Sequence, residues 1–197
     1  MSGIVLVISG PAGVGKTTLC DRLLSNHKNC LTRVVTVTTR SPRKNEVNGV
    51  DYLFMSENEF QDHKDKGTFL EYAKIHGNWY GSLYSTVTEK LEENMDVLLN
   101  IDVQGMSYLK KMENKLAFLK GKVHTVFVKP SSINDLRERL NKRGQDTAVN
   151  IEERLKAAED EIKQFHRYDK VILSKTKSVD YNFLERFYIS KSQIVNL

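Results

Sequence analysis

The sequence predicts an α/β fold in which a parallel sheet is flanked by helices. Four short apolar, β-branched runs read as buried strands, helical spacing lies between or after them, and a glycine-rich turn joins the first run to the first helix. Residues 36–84 break this rhythm and read as an inserted, mainly β unit.

The first run, "IVLVI" (4–8), leads through a turn of small residues into a helix over Thr17–Leu24. Within the insertion, "DYLFM", "TFLEYAKI" and "NWYGS" are strand-like, "HGN" is a turn, and "SENEFQDHKDKG" is a short helix ended by its glycine. A helix over Thr86–Asn94 precedes the second buried run, "VLLNID" (97–102), and another spans Gln104–Lys111. The third run, "VHTVFV" (123–128), is followed by a helix beginning near Ser131 or Ser132, with Leu136 and Leu140 on one face and Gly144 as its stop. Asn150 and Glu153 form a capping-box-like start for a helix from Ile151 to about Phe165. "KVIL" (170–173) is the fourth run, and the amphipathic segment Tyr181–Ile189 packs back on the sheet.

Composition narrows the class. The chain of 197 residues fits one compact domain with a small insertion, and no stretch approaches the roughly 20 apolar residues of a membrane span. A soluble, cytoplasmic protein is expected, since the opening apolar run is too short for a signal peptide and lacks a basic leader. Cys20 and Cys30 form no CxxC pair, and the five histidines lack metal-site spacing. The net charge of +5 fits nucleic acid or small anions, but most lysines alternate with acids, so no nucleic-acid partner is expected.

The turn after the first run fits GxxxxGK[ST] and has the strand before it and helix after it that the motif requires. Gly10, Pro11, Ala12, Gly13, Val14 and Gly15 would cradle phosphates with their backbone amides, and Lys16, Thr17 and Thr18 would open the helix whose dipole favours an anion. Lys16 can reach the β- and γ-phosphates, and Thr17 can offer its hydroxyl to Mg²⁺ carried by ATP. The fold is thus a P-loop NTPase-type sheet. GTPases, ATPases and kinases share this motif, and the NKxD guanine motif of a GTPase is missing. Asp102, at the end of "VLLNID", either orients magnesium-bound water or a substrate group, or caps the following helix.

Arg40 and Arg43 lie three apart around a proline, where two guanidiniums on a stiff loop can fork onto one phosphate and Tyr52 can add a hydroxyl. Arg139, Arg143 and Arg154 flank "GQDTAVN" between two helices. The blocks "SGPAGVGKTT", "TTRSPRKNEVNGVDY", "FLEYAKIHGNWYGS", "IDVQG" and "RLNKRGQD" together resemble the guanylate kinase family in order and spacing, from residue 4 to about 158.

That resemblance implies transfer of the γ-phosphoryl group of MgATP to GMP, and to dGMP, by a monomer or small homo-oligomer. It divides the chain into a P-loop core (1–35 and 85–197), a GMP-binding subdomain (36–84) and a helical lid near 138–156. Arg40, Arg43, Tyr52 and Tyr80 would hold the GMP phosphate, and Thr36, Glu71, Ser82 and Asp102 would surround the guanine, with Gly81 allowing close backbone approach. Arg139, Arg143 and Arg154 would close over the transferring group, while Arg137 lies outside as a surface residue. A carboxylate at Glu71 can accept guanine's N1–H and N2–H₂ together, which adenine cannot offer. Taken alone, Glu71 reads as the solvent face of a strand. The acceptor is already an anion, so no general base is needed.

Two positions depart from the family pattern. Asn100 stands where an acid is usual, and Ser174 with Lys175 replaces an Asn-Asp pair, which leaves adenine recognition open. The competing readings are a guanylate-kinase-like protein-interaction domain and a P-loop kinase with another acceptor. Intact Gly15, Lys16 and Thr17 oppose the first, and Glu71 opposes the second.

Overall fold

The structure, a computed structural model, describes residues 3–75, 77–143 and 147–192. Five parallel strands form the main sheet: β1 (Val5–Ser9), β2 (Leu31–Arg33), β7 (Asp96–Asn100), β8 (Val123–Lys129) and β9 (Lys170–Leu173), in the order β2-β7-β1-β8-β9. Strand β1 is central, with Leu6 opposite Leu98 of β7 and His124 of β8. It is buried along its whole length because both faces are covered, as a parallel sheet requires.

Alternation along β1 separates two cores. Ile4, Leu6 and Ile8 face one layer, built from α1 (Lys16–Asn26), α5 (Ile133–Arg143), α6 (Ala148–Ile162) and α7 (Lys177–Lys191). Val5 and Val7 face the other, built from α3 (Tyr84–Glu92) and α4 (Val103–Lys115). Helix α7 is fastened at its far end by Asp96, which is fully buried and accepts from Ile4 N (2.8 Å), Tyr188 Oη (2.9 Å) and Ser192 Oγ.

Between β2 and α3 lies a second sheet, β4-β3-β6-β5, made of β3 (Thr36–Thr38), β4 (Tyr52–Phe54), β5 (Phe69–Ile75) and β6 (Asn78–Leu83). Its small core joins Val37, Phe60 and Phe69, with Phe60 stacked 4.3 Å from Phe69. Phe60 comes from α2 (Glu57–Asp65), started by a capping box in which Ser56 and Glu59 satisfy each other's backbone amides. Strand β5 packs on α4, which brings this sheet against the end of β7.

The expected strands at 4–8, 97–102, 123–128 and 170–173 are present within a residue or two, and β2 and β3 are additional. The expected cap at Asn150 is corrected: α6 begins at Ala148, and Thr147 is its cap, accepting from Asn150 N at 3.3 Å. The helix ends at Ile162 rather than near Phe165, which instead starts a separate 3₁₀ turn, Phe165–Arg167. Gly144, expected to stop α5, and His76, in the expected "HGN" turn, lie outside the described residues.

Candidate functional site

A cavity of about 460 Å³ opens at the carboxyl ends of β1 and β7, between the main sheet and the second sheet. This is where ligands bind in open parallel sheets.

One wall is the loop from β1 to α1. Gly15 caps α1 with φ 107°, a conformation L side chains rarely adopt, and it has no side chain to satisfy the first-turn amides. Gly10 is as constrained, because a Cβ there would collide with the Val128 carbonyl. The loop therefore presents amides and a helix N-terminus to the cavity without an acid to neutralise them. Lys16 Nζ donates to the Gly10 carbonyl and, at 3.0 Å, to the Pro11 carbonyl, so its ammonium lies along the loop. Thr17 and Thr18 line the cavity, as do Ala12 and Gly13; Pro11 and Val14 are buried behind it.

The opposite wall belongs to the second sheet. Glu71 on β5 is only 2% exposed, and its Oε1 accepts from Ser82 Oγ of the neighbouring strand at 2.7 Å. Burial drives its carboxyl up to about 7, the Ser82 bond opposes that rise, and Asp102 adds to it. Its other oxygen abuts Gly105, where any Cβ would collide with it. Thr36, Tyr52 and Tyr80 line the same wall, with the two tyrosine rings 6.2 Å apart edge to face. Gly81 does not open toward the cavity; a Cβ there would lie 2.9 Å from both the Glu71 carbonyl and the Phe69 ring, so its smallness serves strand packing.

Arg40 does not line the cavity. Its guanidinium is gripped by Glu46 through Nη1–Oε2 (3.0 Å) and Nη2–Oε1 (2.9 Å), and Glu46 Oε2 also accepts from Arg43 N at 2.7 Å. Hydrogen bonds from Arg40 hold the Glu46 carboxyl below its usual range. The Arg43 side chain does reach the cavity. Glu46 thus organises both arginines.

The floor is the end of β7 and the start of α4. Asp102 caps α4, accepting from Gly105 N at 2.8 Å, which is the capping reading of this residue, and it also lines the cavity. Burial raises its carboxyl, with Lys16 opposing. Asn100 lines the cavity beside it.

The roof comes from α5 and α6. Arg139 donates to the Val14 carbonyl at 3.0 Å and from both Nη atoms to Ser174 Oγ at 3.4 Å, which sets it over the phosphate loop. Arg154 lines the cavity from α6. The side chain of Arg143 lies outside the described residues. Arg137 is away from the cavity, joining α5 to α6 through Glu152 (Nη2–Oε2 3.1 Å).

Three residues here were not singled out from sequence. Glu46 carries no signal except its place three after Arg43. Gly105 sits in "IDVQG" without a turn to mark it. Glu161 lines the cavity from α6, and its carboxyl is raised by burial, with Lys16 opposing. It stands seven residues after Arg154, on the same helix face, a spacing that could have revealed it.

Comparisons with known proteins point one way. A family model described as guanylate kinase matches residues 2–188. A guanylate kinase of Wolbachia sp. subsp. Brugia malayi (strain TRS) is 41% identical over 172 residues, covering 87% of this chain and 85% of the relative. One of Clostridioides difficile (strain 630) is 37% identical over 194 residues, covering 98% and 91%. The crystal structure of guanylate kinase from Anaplasma phagocytophilum superposes with a TM-score of 0.77 at 28% identity, covering 98% of this chain and 87% of that one.

Proposed function

The chain belongs to the guanylate kinase family, and from that premise we propose how it transfers the γ-phosphoryl group of ATP to GMP, giving ADP and GDP. It is a nucleoside monophosphate kinase, and the open questions are the roles of its residues. The observation that carries our reading is the buried Glu71, which lines the same cavity as the phosphate loop and is held from behind by the Ser82 hydroxyl. A carboxylate sunk in apolar surroundings gains most from a ligand that brings two adjacent N–H donors, which guanine does and adenine does not. The Thr36 hydroxyl, which lines the cavity, would donate to O6, while the Ser82 hydroxyl, its proton given to Glu71, would hold that carboxylate in place.

The donor's β- and γ-phosphates would lie in the cradle from Gly10 to Thr18, with Lys16 leaving its loop carbonyls to meet them. The acceptor phosphate would meet Arg43, Tyr52 and Tyr80, with Arg40 held ready by Glu46. Arg139, Arg143 and Arg154 would surround the migrating group and exclude water, within a lid near 138–156 that moves against the core (1–35 and 85–197) and the GMP-binding unit (36–84). A phosphate oxygen needs no proton removed, so catalysis rests on alignment and charge neutralisation.

The oxygen donors around the loop suit a hard cation: the Thr17 hydroxyl, the Asp102 carboxylate and the Asn100 amide. These would hold Mg²⁺ arriving with ATP, the phosphates supplying its other ligands; when bound, the ion offsets phosphate charge. Asn100 contributes an amide where an acid would add a negative charge. We further propose a cytoplasmic monomer or small homo-oligomer without a nucleic-acid partner; no described helix is long and apolar enough to cross a membrane.

The test is ADP formation from ATP with GMP, dGMP, AMP, CMP or UMP as acceptor. Turnover with GMP and dGMP far above the other three is expected; equal rates with AMP would overturn the assignment of Glu71.

A further inference from the structure

Glu71, Asp102 and Glu161 are the acids that line the cavity, and the first two already have a task. Glu71 takes the Ser82 hydroxyl and faces the acceptor's base, and Asp102 caps α4. Glu161 does neither. It is partly buried on α6, two helical turns after Arg154 on the same face, and its carboxylate makes no hydrogen bond or ion pair among the described residues. A carboxylate in a cavity shaped for phosphates loses hydration and, once ATP is in place, meets like charge. Such a group calls for a cation.

In the ligand-free protein that cation is Lys16. Its charge favours the ionised form of Glu161 and does the same for Asp102, while Asp102 opposes the ionisation of Glu161. Arg154 is not among the charges that act on Glu161. One ammonium thus offsets two carboxylates, and Asn100, beside Asp102 in the cavity lining, adds no charge.

The kinase reading above, on which this inference rests, sends Lys16 to the β- and γ-phosphates. Its charge is then offset there, and Asp102 and Glu161 are left facing a polyanion across the same cavity. A hydrated divalent cation resolves that conflict. Mg²⁺ keeps several of its waters and is held by one or two carboxylates together with substrate phosphates, rather than by a cage of protein ligands. Among the described residues, no group of three or more His, Cys, Asp or Glu could hold a metal by itself, which fits an ion that enters with the nucleotide.

We propose that Glu161 joins Asp102 in accepting hydrogen bonds from the waters of the Mg²⁺ that arrives with ATP, and that this pair makes the donor site select MgATP over the free ATP anion.

The experiment is calorimetric titration of the full chain with ATP, without GMP, once in excess Mg²⁺ and once in EDTA, so that binding rather than turnover is read. The parent is expected to bind MgATP more tightly than metal-free ATP. In Glu161→Gln, the Kd for MgATP should rise about tenfold or more, as is usual when a group that orients a metal's ligands is lost. The Kd in EDTA should stay within about twofold or fall, since the variant removes a negative charge facing the phosphates. The preference for MgATP therefore shrinks about tenfold. Both affinities are measured on one preparation, so any loss of folded protein leaves their ratio unchanged. Equal weakening in the two buffers would show that Glu161 serves only the shape of the loop or of α6, and would overturn the proposal. A parent that prefers MgATP and a variant that keeps the same preference would overturn it as well, leaving the kinase reading intact. A parent that binds ATP in neither buffer would overturn both.

Discussion

Replacing Glu71 by glutamine should make the ligand-free protein more stable and the enzyme worse. In the ligand-free site, burial lifts the Glu71 carboxyl from 4.5 to about 7. At about 1.4 kcal/mol per pH unit, keeping that group ionised costs the fold about 3 kcal/mol above pH 7. The sign follows from proton counts: between 4.5 and about 7 the folded chain holds a proton that the unfolded chain has lost, so stability falls as pH rises through this window and levels off above it. Glutamine has no charge to strand and keeps an oxygen for the Ser82 hydroxyl. Glu71→Gln should therefore raise the melting temperature by about 6–12 °C at pH 8 and by only about 2 °C at pH 5. Toward GMP the same change loses charge-assisted bonds to N1–H and N2–H₂ and sets an amide N–H against them, about 3 kcal/mol or roughly 100-fold in the KM for GMP. The preference for GMP over AMP should shrink with it. Thermal unfolding at the two pH values and initial-rate kinetics with both acceptors are the assays. A variant no more stable at pH 8 than at pH 5, relative to the parent, or one with an unchanged GMP to AMP ratio, would refute the reasoning.

Lys16→Ala should cut kcat by about 100- to 1,000-fold, and the loop carbonyls of Gly10 and Pro11 that it leaves can be satisfied by water; single-turnover kinetics would check this. Gly105→Ala, which places a methyl against Glu71, should raise the KM for GMP about tenfold or more while leaving the KM for ATP within about twofold; equal effects on both substrates would contradict the contact. Glu46→Gln should raise the KM for GMP about five- to tenfold, since Arg40 loses its bidentate partner and Arg43 its backbone anchor; calorimetric titration of GMP measures it, and unchanged affinity would remove Glu46 from the site.

The parts legible in sequence are those whose physics is local. The strands β1, β7 and β8 are continuous or nearly continuous apolar runs, because both faces of the sheet are covered there, whereas β9, also read as buried, is an edge strand in which only Ile172 is buried and Leu173 is exposed. Strand β2 was not legible: it is three residues long, sits at the sheet edge, and pairs only with β7. The cap of α6 was misread because Asn150 and Glu153 imitate a capping box, while the actual cap, Thr147, lies a turn earlier. The phosphate loop declares itself by spacing, whereas Glu71 does not, since alternation along "FLEYAKI" gives no sign that both faces of β5 are covered, one of them by α4. Only the resemblance drew attention to it. Arg40 illustrates a third limit: its residue type suggested phosphate, but its bond to Glu46 depends on how a loop closes six residues on.

The short turn from Asp102 to Gly105 joins the two halves of the site. Asp102 fixes the first amides of α4, and the third residue of that helix has no side chain because the Glu71 carboxylate occupies the space. For anyone wishing to redirect this enzyme to another base, position 71 is therefore not an independent dial. A longer or differently shaped side chain there meets the backbone of α4, and shifting that helix moves the Asp102 carboxylate that caps it and lines the cavity. Acceptor choice and phosphoryl chemistry would have to be redesigned together, starting from the helix rather than from the base-reading strand.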